Sequence, residues 1–205
     1  MVSKKKLLKK ARLYLITNED LKAAKKSLKA GVSIVQLRIK AQDDKLFLKK
    51  AFEIRKITKK LNSLLIINDR IDIALLVDAD GVHLGQKDIP VKQARRLLGQ
   101  NKIIGKSTHN YQEAKSAVKE GVDYIGIGPA FPSKTKDTYK PLNIKTIKKI
   151  IISCNIPYFV IGGINSKNLK YLLSKEIKRI AVFSSIIKAD NPHSITKKFL
   201  KKLNT

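Results

Sequence analysis

Eight short runs of apolar, largely β-branched residues recur along the chain, and longer segments with helical spacing separate them. The runs are Leu13–Thr17, Ile34–Leu37, Leu64–Ile67, Gly81–Leu84, Ile103–Gly105, Tyr124–Gly128, Tyr158–Ile161 and Ile180–Phe183. Between them, Leu46–Leu61, Val91–Leu98, Tyr111–Glu120, Ile144–Ile151 and Ser166–Leu173 carry apolar residues at helical spacing, with lysine on the polar side. Strands alternating with helices predict βαβ units and a parallel sheet. Eight of each is the number that closes a (β/α)8 TIM barrel of the α/β class, with an open doubly wound sheet as the alternative. Ala30-Gly31-Val32-Ser33-Ile34 and Glu120-Gly121-Val122-Asp123-Tyr124 share one grammar, a helix stopped by glycine and followed at once by a strand. Ala79-Asp80-Gly81 is a looser third copy. No linker or low-complexity stretch interrupts the series, so residues 1–205 read as a single barrel domain.

Composition narrows the class. At 205 residues and 43% hydrophobic, the chain has ample material for one core. The single cysteine, Cys154, rules out a disulfide scaffold and a cysteine-based zinc site. The apolar runs are far shorter than a membrane span, and Met1–Lys10 is lysine-rich with no signal-type apolar segment behind it, so a cytoplasmic protein is expected. The net charge of +28 raises the question of nucleic acid. However, 37 of the 44 basic residues are lysine, and arginine is the side chain that forks onto phosphates and guanine edges. The lysines are spread along every helical segment, as at Lys49-Lys50, Lys59-Lys60, Lys148-Lys149 and Lys197-Lys198, without an aromatic platform. They read as solvated helix faces, with no nucleic-acid or membrane partner, and their field would draw in small anionic substrates. A homo-oligomer is left open.

In barrels and open parallel sheets alike, chemistry belongs where strands end. After strand two, period-two alternation places Gln36, Arg38 and Lys40 on one face. An amide and two cations directed inward suit a phosphate or diphosphate; the alternative is a solvated edge. Strand three ends in Asn68-Asp69-Arg70 and strand four leads to Asp88. Two carboxylates at neighbouring strand ends suit Mg²⁺ beside a polyphosphate, or else they cap the following helices. Strand five ends at Gly105-Lys106-Ser107-Thr108-His109-Asn110, where a small hydroxyl beside a cation suits phosphate contact and a helix cap explains Asn110 equally well; His109 reads as structural, with an acid–base role as the alternative. After strand six comes Pro129-Ala130-Phe131-Pro132-Ser133-Lys134-Thr135-Lys136, and Lys134–Lys140 could serve as a lid. Gly162-Gly163 after strand seven and Ser184-Ser185 after strand eight match the recurrent phosphate corner of these barrels. Two anion sites facing one cavity suggest transfer between two phosphorylated ligands.

The segments LYLIT (13–17), VQLRIK (35–40), NDRIDIAL (68–75), DADGVHLGQKD (78–88), STHN (107–110), DYIGIGPAFPSKTK (123–136), IGGI (161–164) and AVFSSI (181–186) resemble the thiamine phosphate synthase family, with thiazole tautomerase as a cousin. The resemblance implies a transferase joining 4-amino-2-methyl-5-pyrimidinylmethyl diphosphate to a thiazole phosphate, with release of diphosphate. Carried over by motif, Gln36, Arg38, Lys40, Asn68, Ser107 and Lys136 would hold the pyrimidine diphosphate, and Arg38, Lys40, Lys136 and Ser107 would be catalytic. Asp69 and Asp88 would bind Mg²⁺. Ser133, Thr135, Gly163, Phe183 and Ser184 would hold the thiazole phosphate, the last two through backbone amides. The implied chemistry is dissociative, which needs leaving-group stabilisation rather than a strong base. The tautomerase cousin generally lacks the aspartates and carries histidine after the strand-six glycine, where this chain has Pro129. Three positions depart from the family pattern: Ile39 stands for an acid, Lys106 for an apolar residue, and Phe183 for a smaller aliphatic one. Lys106 is expected to add positive charge near the diphosphate.

Overall fold

Near-continuous apolar strands are what burial on both faces demands, and the structure supplies both faces. The computed structural model describes residues 3–40, 43–132 and 140–205. Within these, β1 (Leu13–Thr17), β2 (Ile34–Leu37), β3 (Leu64–Asn68), β4 (Gly81–Leu84), β5 (Ile103–Thr108), β6 (Tyr124–Ile127), β7 (Tyr158–Ile161) and β8 (Ile180–Val182) follow in order. All pairings are parallel, and β8 returns to β1 to close the barrel. The open-sheet alternative is thereby excluded.

Helices α2 (Leu21–Lys29), α3 (Asp44–Lys60), α4 (Ile71–Leu76), α5 (Val91–Leu98), α6 (Tyr111–Lys119), α7 (Ile144–Cys154) and α8 (Leu169–Ser174) each follow one strand. After β8 come a short α9 (Ser184–Ile187) and then α10 (Pro192–Asn204), and α1 (Lys4–Lys10) precedes the first strand. Several helices start on a short polar residue whose side chain accepts from the first turn. Asp20 accepts from Lys22 N, Asp43 from Leu46 N, Asn110 from Glu113 N, Asn143 from Thr146 N and Asn191 from Ser194 N. Each such cap contributes about 1 kcal/mol. The last helical segment read from sequence begins later than expected. Asn165 Oδ1 accepts from Lys167 N and Asn168 N, and Asn168 Oδ1 from Asn165 N, so a polar turn occupies the first residues.

The core lies in two shells. One packs the outward strand residues, such as Val35, Ile67, Val82 and Ile125, against the helices. The other fills the barrel with Tyr14, Ile34, Leu64, Ile66, Ile103, Tyr124, Phe159 and Ala181, and includes Leu8 and Ala11 from the N-terminal segment. The rings of Tyr14, Tyr124 and Phe159 meet edge to face, with centroids 5.0–5.8 Å apart.

Ionic clamps fix the N-terminal end of the barrel. Asp80, just before β4, accepts from Leu65 N at 2.9 Å and pairs with Arg55 at 2.7 Å and Lys4 at 3.0 Å. Asp123, just before β6, repeats the device with Ile104 N at 2.9 Å, Arg95 at 2.8 Å and Lys5 at 3.0 Å. Burial works against the Asp123 charge, but the Ile104 amide and the two cations outweigh it, so the carboxyl stays below its usual range. Arg179, just before β8, donates to the carbonyls of Leu8 and Lys9 at the end of α1. Helix α1 therefore plugs this end, tied to the starts of three strands. Among the described residues, no helix is long and apolar enough to cross a membrane. Of the paired lysines singled out from sequence, Lys59-Lys60 and Lys197-Lys198 are exposed, whereas Lys50 and Lys148 are half-buried.

Candidate active site

A cavity opens at the opposite end, where the strands finish. Its lining includes Tyr14, Gln36, Arg38, Asn68, His83, Ser107, Tyr124, Gly163, Phe183 and Ser184. Residues expected at two separate anion sites thus face one space. Gln36 comes from an inward position of β2, and Arg38 follows two residues on, past the strand end. Lys40 is exposed and lies outside the lining residues. Ser133, Thr135 and Lys136 fall outside the described residues, as does the lid expected at Lys134–Lys140 except for its last residue.

Asp69 and Asp88 stand in the loops directly after β3 and β4, which are paired neighbours. Asp69 occupies the left-handed backbone region at φ 62°, and its N–H donates to His83 O at 2.9 Å. Its Oδ2 accepts from Asn68 Nδ2 at 2.6 Å, while Asp88 Oδ2 accepts from Gly85 N at 2.5 Å. Neither stands at an N-cap position, which is Arg70 for α4 and Pro90 for α5. Asn110 caps α6, one of its two readings, and His109, which lines the cavity, is tied through Nδ1 to Glu113 Oε2 at 2.9 Å.

Two of the departures resolve into packing. Lys106 does not add charge to the cavity. Its neighbours Gly105 and Ser107 face inward, so period two turns Lys106 outward, where Nζ pairs with Glu120 Oε2 at 2.8 Å. Ile39 is buried in the apolar shell between strands and helices. Phe183 does line the cavity, beside Ser184 at the start of α9.

Glycine shapes the cavity at two places. Gly162 and Gly163 turn the chain after β7 at φ 105° and 61°, and a Cβ on Gly163 would fall 2.5 Å from Pro132 O. At Gly105 the Tyr124 ring lies against the backbone, 2.0 Å from where a Cβ would stand. Gly105→Ala is expected to displace Tyr124 and destabilise the protein by about 1–3 kcal/mol through overpacking. Urea denaturation compared with wild type measures this. An unchanged midpoint would mean that the ring has room to move.

Sequence reasoning missed the cavity floor: Tyr14, His83 and Tyr124, all inward-facing. His83 Nδ1 lies 2.9 Å from the Tyr124 hydroxyl and Nε2 lies 2.9 Å from Ser107 Oγ. A signal was present, since each polar-tipped residue interrupts an otherwise apolar strand buried on both faces.

Comparison with known proteins agrees with this architecture. Residues 13–186 match the family described as thiamine monophosphate synthase. A thiamine-phosphate synthase of Prochlorococcus marinus is 46% identical over 96% of this chain and 58% of its own length. One from Methanobrevibacter smithii is 46% identical over 93% of this chain and 94% of its own. The chain thus spans little more than half of the first relative and nearly all of the second. Among solved structures, the thiamine phosphate pyrophosphorylase of Pyrococcus furiosus is 34% identical, with a TM-score of 0.88 over 97% of this chain and 98% of that one. With the barrel, the cavity and the matching motifs in agreement, the chain belongs to the thiamine monophosphate synthase family.

Proposed function

We propose that this protein is a cytoplasmic thiamine-phosphate synthase acting as a single barrel domain. It joins 4-amino-2-methyl-5-pyrimidinylmethyl diphosphate to a thiazole phosphate and releases diphosphate. The observation that carries the reading is the shared cavity. Gln36, Arg38, Asn68 and Ser107 from the β2–β5 side face Gly163, Phe183 and Ser184 from the β7–β8 side. Two phosphorylated ligands held at these two sides would meet with their reacting atoms between them, and that proximity is itself a large part of the rate.

The reaction is read as dissociative. The bond between the pyrimidine methylene and the diphosphate oxygen breaks first, its electron pair leaving with diphosphate. The thiazole nitrogen then donates its pair to the methylene cation. Catalysis therefore amounts to stabilising negative charge on the leaving group. Arg38, Lys40, Lys136 and the Ser107 hydroxyl are the chain's groups for that role, and Gln36 and Asn68 hold the pyrimidine end. Ser133, Thr135, Gly163, Phe183 and Ser184 hold the thiazole phosphate. The aromatic floor of Tyr14, Tyr124 and Phe159 keeps water from the cation below.

Asp69 and Asp88 fit Mg²⁺ by donor chemistry. The ion takes one or two carboxylates together with water and substrate phosphate oxygens, and these two carboxylates stand in the loops after two paired strands. When bound, the ion supplies positive charge to the departing diphosphate. The test is a coupling assay with both substrates, with and without Mg²⁺, following diphosphate and thiamine phosphate together. Both products are expected, and only with the metal. A folded protein giving neither product would overturn the reading; products that persist in EDTA would overturn the metal assignment.

A further inference from the structure

Five side chains from five strands form one line of hydrogen bonds beneath the cavity. Gln36 Nε2 donates to the Tyr14 hydroxyl at 2.9 Å, and the Tyr14 and Tyr124 hydroxyls are 2.9 Å apart. The line continues from the Tyr124 hydroxyl to His83 Nδ1 and from His83 Nε2 to Ser107 Oγ, each at 2.9 Å. The direction of each bond follows from counting protons.

A phenol has one proton and can donate once. Tyr14 already accepts from Gln36, so its own proton has Tyr124 as its acceptor within the line. Tyr124, accepting there, spends its proton on His83 Nδ1. The opposite sense would leave the fully buried Tyr14 proton without an acceptor in the line, at a cost of about 1–3 kcal/mol. Burial raises the pKa of both phenols far above the physiological range, so neither gives up its proton. With Nδ1 accepting, the neutral imidazole carries its proton on Nε2 and donates it to Ser107 Oγ. The Ser107 hydroxyl proton is then left to point into the cavity.

We propose that Tyr124 and His83 are positioning residues that fix the histidine tautomer and thereby make Ser107 a hydrogen-bond donor toward an anionic oxygen of the ligand. In the reverse sense Ser107 would donate to His83 and present only lone pairs to that oxygen. The backbone holds the geometry: Gln86 Nε2 donates to Ser107 O at 2.6 Å, and the Tyr124 ring packs on Gly105. The inference rests on the reading above that a diphosphate meets Ser107, but the tautomer can be tested independently of any activity.

The chain has three histidines, so nitrogen-15 NMR of histidine-labelled protein resolves them, with His83→Gln assigning the signal. Wild type is expected to show His83 unprotonated at Nδ1 and protonated at Nε2. Tyr124→Phe should erase that preference, whereas Tyr14→Phe, which removes an equally buried hydroxyl, should keep it. Binding of inorganic diphosphate with Mg²⁺ should weaken about tenfold in Tyr124→Phe, the worth of one hydrogen bond to a charged group. It should weaken similarly in Ser107→Ala, and no further in the double variant. A wild-type proton on Nδ1, an equal response of the tautomer to both phenylalanine variants, or additive losses in the double variant would each overturn the proposal. If the tautomer behaves as described while thiamine phosphate never forms, the relay stands and the substrate assignment falls.

Discussion

Asp69→Asn is expected to leave the barrel folded and cut the coupling rate by about 10²–10³-fold, the usual loss when one charge-stabilising group is removed. Asparagine is the informative replacement because of the backbone. Asp69 sits at φ 62°, a region that asparagine tolerates and that costs most other residues roughly 1–2 kcal/mol. Alanine would therefore mix a folding defect with a chemical one. The Asp69 N–H keeps its bond to His83 O in either variant, and the amide can still meet Asn68. What changes is one negative charge in the loop after β3. A steady-state assay across a Mg²⁺ titration should show a lower kcat and a higher metal requirement, with melting temperature unchanged within about 2–4 °C. Wild-type turnover in Asp69→Asn would remove this carboxylate from the proposed metal site.

Asp80→Ala should do the reverse. Its carboxylate is buried, accepts from Leu65 N, and faces Arg55 and Lys4. Removing it leaves the buried Arg55 guanidinium with only the exposed Asp78 carboxylate, 3.5 Å away, and takes the acceptor from the Leu65 amide in a dry interior. Breaking such a pair from one side costs about 3–5 kcal/mol. For a chain of this size that lowers the melting temperature by on the order of 10 °C. Turnover per folded molecule should stay near wild type, because the damage lies at the barrel end away from the cavity. Calorimetry paired with activity measured well below the transition separates the two quantities. A loss of activity matching Asp69→Asn, without loss of stability, would show that the ends are not independent.

The contrast between these two aspartates also marks how far the sequence could be read. The strand runs were legible because burial on both faces leaves an apolar signature, and four of the eight observed strands have the expected limits. Gln36 and Arg38 were legible because period two could be applied from a strand that was itself clear. The same rule applied to β5 sends Lys106 outward, but the apolar run Ile103–Gly105 ends before it, while the strand continues to Thr108. The role of α1 was hidden for a different reason. Seven residues with five lysines look like a solvated tail, and nothing local announces that Lys4 and Lys5 meet Asp80 and Asp123 far along the chain. The Tyr14–Tyr124–His83 line needed three-dimensional register, since its members are dozens of residues apart.

The plug formed by α1 fixes more than stability. Its salt bridges and the Arg179 bonds hold this helix against the starts of the strands, and the cavity opens where the strands finish. A protein anchored to a solid support through its leading residues is thus gripped from behind. Its mouth turns toward the bulk liquid, and small anions reach it without passing the support.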